Sequence, residues 1–184
     1  MEKKLQADLG YNLVLIGFMG AGKSTIAAYL NEAYGMEIAE MDQWIEEREG
    51  MRIAEIFEKY GEEYFRKKET ELLKELQTRT NMVISCGGGV VTREENIPLM
   101  KKNGRVILLT ATPQTVLERV KNQDDRPILQ GNKTIEYISE LLERRREQYE
   151  AAADFTIQTD GKSTQVICEE LMEQLNHRWE KKDV

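Results

Sequence analysis

The sequence predicts an α/β fold built on a parallel β-sheet, and three observations carry that expectation. Short apolar runs, "NLVLI", "NMVISC", "RVILLT" and "DFTIQT", alternate with longer amphipathic segments, the pattern of successive βαβ units. A glycine-rich octet, "GFMGAGKS", joins the first apolar run to the first amphipathic one. The chain has 184 residues, enough for one domain with a real core and short for two.

Each element follows from local pattern. "NLVLI" is a short apolar run, so it reads as the first strand of a parallel sheet. After the octet, "KSTIAAYLNEAY" has helical spacing, and "MEIAEM" supplies a fifth, weaker strand. Three helices come next in succession at "DQWIEEREG", "RIAEIFEKYG" and "GEEYFRKKETELLKELQT". The strand "NMVISC" leads to a helix at "TREENIPLMKKNG", and "RVILLT" leads to one at "TPQTVLERVKN". The long helix "TIEYISELLERRREQYEAAA", the strand "DFTIQT" and the helix "STQVICEELMEQLNHRWE" complete the order. Gly35, Gly50, Gly61 and Gly104 stand at or just past helix ends, where a left-handed residue is expected.

Composition excludes several function classes. Lys plus Arg number 26 against 33 Asp plus Glu, for a formal net charge of -7, whereas a general nucleic-acid binder carries a basic excess. Cys86 and Cys168 are far apart and outside any C-x-x-C pair, so neither a metal cluster nor a disulfide framework is expected. A reducing cytoplasm is the simplest setting. The opening "MEKKLQADLGYN" turns polar after Leu5, and no apolar stretch has the length to cross a bilayer, so neither leader nor anchor is expected. A small acidic single domain makes a monomer the default.

Gly17, four spacers, Gly22, Lys23 and Ser24 match G-x-x-x-x-G-K-[ST] between a predicted strand and a predicted helix, the context that gives the motif meaning. Glycines let backbone N–H groups close around a polyphosphate at a helix N-terminus, where the macrodipole favours an anion. Lys23 is expected to reach the β- and γ-phosphates, and the Ser24 hydroxyl to ligate Mg²⁺. Neither "NMVISC" nor "RVILLT" ends in the metal-holding Asp of switch proteins and pumps. Asn132-Lys133 is followed by Thr134-Ile135 rather than by the guanine-reading pattern, which disfavours GTP. The remaining acids near the loop are Glu40 and Asp42 in "AEMDQWIE". Two apart on extended chain, they share a side and can both face the phosphates. Spacing alone is equally consistent with surface acids, Asp42 serving as the N-cap of the next helix.

Three features ask for a second substrate. Gly87, Gly88 and Gly89 follow a buried strand directly, at the end of the sheet where ligands of α/β folds bind. They suit either close backbone approach to a ligand or a flexible turn. Arg66 sits in "GEEYFRKKE", and Arg144, Arg145 and Arg146 stand in a row in "LLERRREQY". Guanidinium forks suit a carboxylate and Asp42 suits hydroxyls, so an acceptor with both is expected if these are not surface charges. Separately, "KNQDDRPILQGN", about residues 121–132, is a polar excursion in which Arg126 precedes a proline. It is either a lid that brings Arg126 onto the transferring phosphoryl group or a plain surface loop.

The pieces "GFMGAGKST", "MDQWIE" with "IAEIFEKYGEEYFRKKE", "CGGGVV", "DDRPIL" and "RRREQYEAAAD", in this order and spacing, resemble the shikimate kinase family over nearly the whole chain. The resemblance implies a P-loop NTPase fold of the nucleoside monophosphate kinase type: five parallel strands flanked by helices, a lid, and a substrate-binding helical region at about 40–75. It implies transfer of the γ-phosphate of ATP to the 3-hydroxyl of shikimate, in aromatic amino-acid biosynthesis. It assigns ATP to Gly20, Ala21, Gly22, Lys23, Ser24 and Thr25, with Arg119 beside the adenine and Lys162 as the adenine-side basic residue, although "TDGKST" departs from the family there. It assigns shikimate to Asp42, Arg66, Gly87, Gly88, Gly89 and Arg145. Lys23, Asp42 and Arg126 are the implied catalytic set, Arg126 acting from the lid on the nucleotide. Mg²⁺ falls to Ser24 and Glu40, where Glu40 replaces the first acid of an Asp-x-Asp pair. Its extra methylene suits indirect, water-mediated support of the ion.

Overall fold

The computed structural model describes residues 9–121 and 134–179. Five strands form one sheet in the order β2-β3-β1-β4-β5, and every pair is parallel. They are β1 (Asn12–Ile16), β2 (Glu37–Glu40), β3 (Met82–Ser85), β4 (Gly104–Thr110) and β5 (Phe155–Gln158). The helices are α1 (Lys23–Tyr34), α2 (Met41–Glu49), α3 (Ile53–Tyr60), α4 (Glu62–Leu76), α5 (Asn96–Lys102), α6 (Pro113–Val120), α7 (Ile135–Ala152) and α8 (Thr164–Trp179). A short 3₁₀ turn, Val90–Thr92, leaves β3.

Alternation along each strand divides the interior in two, because successive side chains leave opposite faces of a sheet. Val14, Ile16, Ile84, Val106 and Leu108 enter a core with helices α2 to α5 and the end of α7. Leu13, Leu15, Val83, Ile107, Leu109 and Ile157 enter another with α1 and α8, through Ile26, Ala27, Leu30, Ile167, Cys168, Leu171 and Leu175. A third cluster joins Phe18 and Met19 of the octet to Val116 and Val120 of α6 and Ile138 and Leu141 of α7. Two of the four spacers that the phosphate-loop pattern leaves blank thus anchor the loop to two helices.

Polar side chains set the ends of the elements. Fully buried Asn12 donates to the Arg79 carbonyl at 2.8 Å and accepts from the Met82 amide at 3.1 Å, so one amide ties β1 to the start of β3 and to the chain leaving α4. Thr112 caps α6 ahead of Pro113, and Thr134 caps α7. Gly35 and Gly50 end α1 and α2 in the left-handed conformation, as expected. Gly61 has positive φ with extended ψ, which turns α3 directly into α4. Gly104 differs from expectation. Its φ is not positive, and it opens β4 where an added Cβ would lie 2.5 Å from the Met100 carbonyl oxygen and 2.7 Å from Val14 Cγ2. Close packing, not a helix cap, requires glycine there.

Gly104→Ala is therefore expected to cost about 1–3 kcal/mol through overpacking, read as a lower urea midpoint with an unchanged slope. Gly50→Asn, with open space around the Cβ and a φ that Asn adopts, is expected to cost less than about 1 kcal/mol.

Candidate active site

The sheet order places β1 between β3 and β4, the switch point where an α/β sheet opens a crevice beyond its strand ends. A cavity of about 560 Å³ occupies it, lined from the octet, β2–α2, α3, α4, the β3 end and α7.

The phosphate loop contributes its backbone. Gly17 packs so tightly that a Cβ would collide with the Leu109 carbonyl, and Gly22 precedes α1 at φ 101 with no side-chain cap, leaving the helix N-terminus open to an anion. Lys23 Nζ donates to the Gly17 and Phe18 carbonyls at 2.8 and 3.0 Å. Ser24 Oγ donates to Glu40 Oε2 at 3.1 Å. Gly20, Gly22, Lys23, Ser24, Thr25, Glu40 and Asp42 all line the cavity, whereas buried Ala21 packs under the loop.

Glu40 and Asp42 meet the cavity by a route that spacing does not predict. Glu40 ends β2 and is the N-cap residue, while Asp42 lies in the first turn of α2, so they do not share one extended strand and Asp42 is not the cap. A first-turn acid is favourably placed toward the positive helix end.

The glycines after β3 have little to do with a flexible turn. None has positive φ. A Cβ on Gly87 would stand 2.6 Å from Glu69 Oε1 and 2.7 Å from Asp42 Oδ1, and one on Gly89 would overlap the Arg66 guanidinium. The close approach is first of all to side chains of the site itself. Arg66, 6% exposed, donates to Glu69 Oε2 at 2.5 Å and to Glu62 Oε1 at 2.9 Å. Of the three consecutive arginines only Arg145 lines the cavity, donating to the Gly88 carbonyl at 3.2 Å over the Phe18 ring; Arg144 and Arg146 pair with Glu140 and Glu143 on the surface.

Against the other flank of the phosphate loop, Arg119 in the last turn of α6 donates to the Gly20 carbonyl at 2.9 Å and to Thr159 Oγ1 at 3.1 Å. Asp160 supports that position by accepting from the Thr112 amide and hydroxyl at the start of α6; these bonds outweigh burial and hold its carboxyl at about 2. Lys162 pairs with Glu170 of α8 at 2.6 Å. Arg126 and the expected lid, apart from Lys121, lie outside the described residues.

Sequence reasoning missed Glu69. Its carboxyl is fully buried and faces Gly87 with Oε1, which has no hydrogen-bond partner among the described residues. Burial pushes its pKa up to about 7, Arg66 opposes that, and the Asp42 charge adds to it. The signal was present: Glu69 shares the buried face of α4 with Phe65, Arg66, Leu72, Leu73 and Leu76, where an acid needs a reason. Tyr149 was also missed; it lies 4% exposed on α7 and donates to the Gly88 carbonyl. Cys86 is a buried thiol whose pKa burial drives far above the usual range, so it packs rather than reacts.

An acid that titrates near 7 when folded and at its ordinary 4.5 when unfolded binds protons better in the folded state between those values. Its stabilising share is full below 4.5 and is lost as pH rises through about 7. Glu69→Gln is expected to flatten this fall, seen as a wild-type-minus-variant difference in unfolding free energy that declines across that window and is level above it.

A model of the shikimate kinase family matches residues 19–176. A shikimate kinase of Dehalococcoides mccartyi is 41% identical over 164 residues, covering 89% of this chain and 93% of the relative. The solved shikimate kinase from Acinetobacter baumannii in complex with shikimate superposes with a TM-score of 0.88 at 33% identity, over 94% of this chain and 97% of that one. A gluconokinase from Sinorhizobium meliloti, at 16% identity, TM-score 0.62 and coverage of 95% and 97%, shares the fold alone. With a phosphate loop, a facing acid and two inward arginines around one cavity, and with relatives alike over almost their full length, this chain belongs to the shikimate kinase family.

Proposed function

We propose that the chain transfers the γ-phosphate of ATP to the 3-hydroxyl of shikimate, giving shikimate 3-phosphate and ADP for aromatic amino-acid biosynthesis. The observation that carries this reading is one cavity with a phosphate loop on one side and Asp42, Arg66 and Arg145 on the other. Guanidinium groups of Arg66 and Arg145 bind the ring carboxylate, and Asp42 takes the hydroxyls. Gly87 to Gly89 form the floor. Ile53, Phe57 and Phe65 add an apolar wall that suits a carbon ring.

In the transfer step the acceptor oxygen forms a bond to the γ-phosphorus as the bond to the ADP oxygen breaks. The hydroxyl proton leaves toward Asp42. The transition state is loose, so positioning and charge neutralisation matter more than a strong base, and Asp42 acts chiefly by orienting the hydroxyl. Lys23 leaves the Gly17 and Phe18 carbonyls for the β- and γ-phosphates, and the amides of Gly20 to Thr25 hold the remaining oxygens. Arg119 lies beside the adenine, and Arg126 completes the site from a lid at about 121–132. Lys162 is kept on the adenine side only through its turn, since its ammonium is engaged by Glu170.

Mg²⁺ fits the residues present. Ser24 and Glu40 offer hard oxygens beside the loop, and this ion is bound mostly by phosphates and water, not by an all-protein cage. When bound it would neutralise the transferring charge, with Ser24 as the residue that would ligate it and Glu40 the one that would support it indirectly. Among the described residues no helix is long and apolar enough to cross a membrane. We place the enzyme in the cytoplasm, the reducing setting that suits two cysteines outside any C-x-x-C pair, and as a monomer, the default for a small acidic single domain.

Asp42→Asn is expected to lower kcat by about 10²-fold or more while nucleotide affinity stays within about threefold, measured by ADP release and by nucleotide titration. Arg145→Ala is expected to raise the shikimate KM at least about tenfold with little change in the ATP KM. In a panel of acceptors, preference for gluconate over shikimate would overturn the assignment.

A further inference from the structure

The Gly88 carbonyl accepts from two side chains of α7, Tyr149 Oη and Arg145 Nη1, which stand one helical turn apart. Both donors meet on this one carbonyl oxygen, which holds phenol and guanidinium side by side. Tyr149 is packed in the core among residues that include Cys86, Val90 and Val91, which fixes its ring. Burial drives the phenol up to about 12, which keeps the hydroxyl a donor across the physiological range. Arg145 lines the cavity and lies over Phe18 at 5.8 Å, and among the described residues its other N–H groups are left for an acceptor. The Gly88–Gly89 peptide is trans and planar, so holding its carbonyl toward α7 fixes the whole unit, and both glycines line the cavity.

We infer that Tyr149 is a positioning residue for the acceptor: its hydroxyl holds the Gly88 peptide and the Arg145 guanidinium in the geometry that receives a carboxylate. Without the hydroxyl, the Gly88 carbonyl keeps Arg145 as its one side-chain donor. The guanidinium is then drawn onto the turn instead of being poised between the turn and the ligand. The effect falls on carboxylate binding, because the Tyr149 hydroxyl donates to the Gly88 carbonyl that Arg145 shares.

This inference rests on the proposed shikimate reading, and the experiment separates the two. Initial rates with ATP and shikimate are compared for wild type, Tyr149→Phe, Arg145→Ala and the double variant, with thermal unfolding as a control. Tyr149→Phe keeps the ring and is expected to raise the shikimate KM about fivefold to tenfold, with kcat and the ATP KM within about twofold. In the Arg145→Ala background the same change is expected to alter the shikimate KM by less than about twofold, since its target is gone. With the carboxamide of shikimate as acceptor, wild type and Tyr149→Phe are expected to have similar KM values. An unchanged shikimate KM, an equal rise for ATP, the same factor in both backgrounds, or a Tyr149→Phe protein that does not fold would each overturn the inference and leave the kinase reading standing. Absence of wild-type turnover of shikimate would overturn both.

Discussion

The parallel pairing of β1 with β3 is the constraint on which the site depends. In register, Leu15 lies beside Ser85, and Ser85 in turn lies beside Glu40 of β2. Three strands therefore end on one line, and the segments that leave them meet in one place: the octet after β1, the glycine triplet after β3, and the Glu40–Asp42 corner after β2. A slip of one residue would exchange the faces of every side chain of the strand and separate these segments. Buried Asn12 guards that register by binding the first amide of β3.

Around this line the chemistry is arranged by absence of side chains as much as by their presence. Gly87 and Gly89 leave room for two carboxylates and a guanidinium to press against the end of β3. The buried Arg66–Glu69 pair has its geometry set by α4 and by the glycines packed against it. Such a pair is costly to desolvate, so its value lies more in holding the guanidinium at one orientation than in net stability. Glu69 retains much of the character of a neutral acid near pH 7, which lessens the repulsion it would otherwise exert on Asp42 and on an incoming carboxylate.

The order of elements is legible in full because each obeys local rules: continuous apolar strands, helical periodicity, and glycines at two helix ends. The motif "GFMGAGKS" is legible for the same reason, since a loop that binds phosphate through its own backbone depends on contiguous residues. Gly104 misleads because helix-end glycine and packing glycine look alike in a string; only the neighbouring Val14 and Met100 distinguish them. The Glu40–Asp42 corner misleads because strand and helix meet between the two residues, and period-2 reasoning does not carry across such a junction.

Glu69 and Tyr149 show where local reading ends. Each is an ordinary residue on an amphipathic helix until the fold puts Gly87 against one and Gly88 against the other. Likewise "RRR" offers three equal candidates, and only the rotation of α7 against the β3 end selects Arg145 and leaves its neighbours to surface acids. The amino-acid sequence by itself determined the sheet, the phosphate loop and the family, since these rest on patterns within short segments. The tertiary structure alone decided which charges are buried together, because burial and pairing are properties of distance in space that spacing along a chain does not specify.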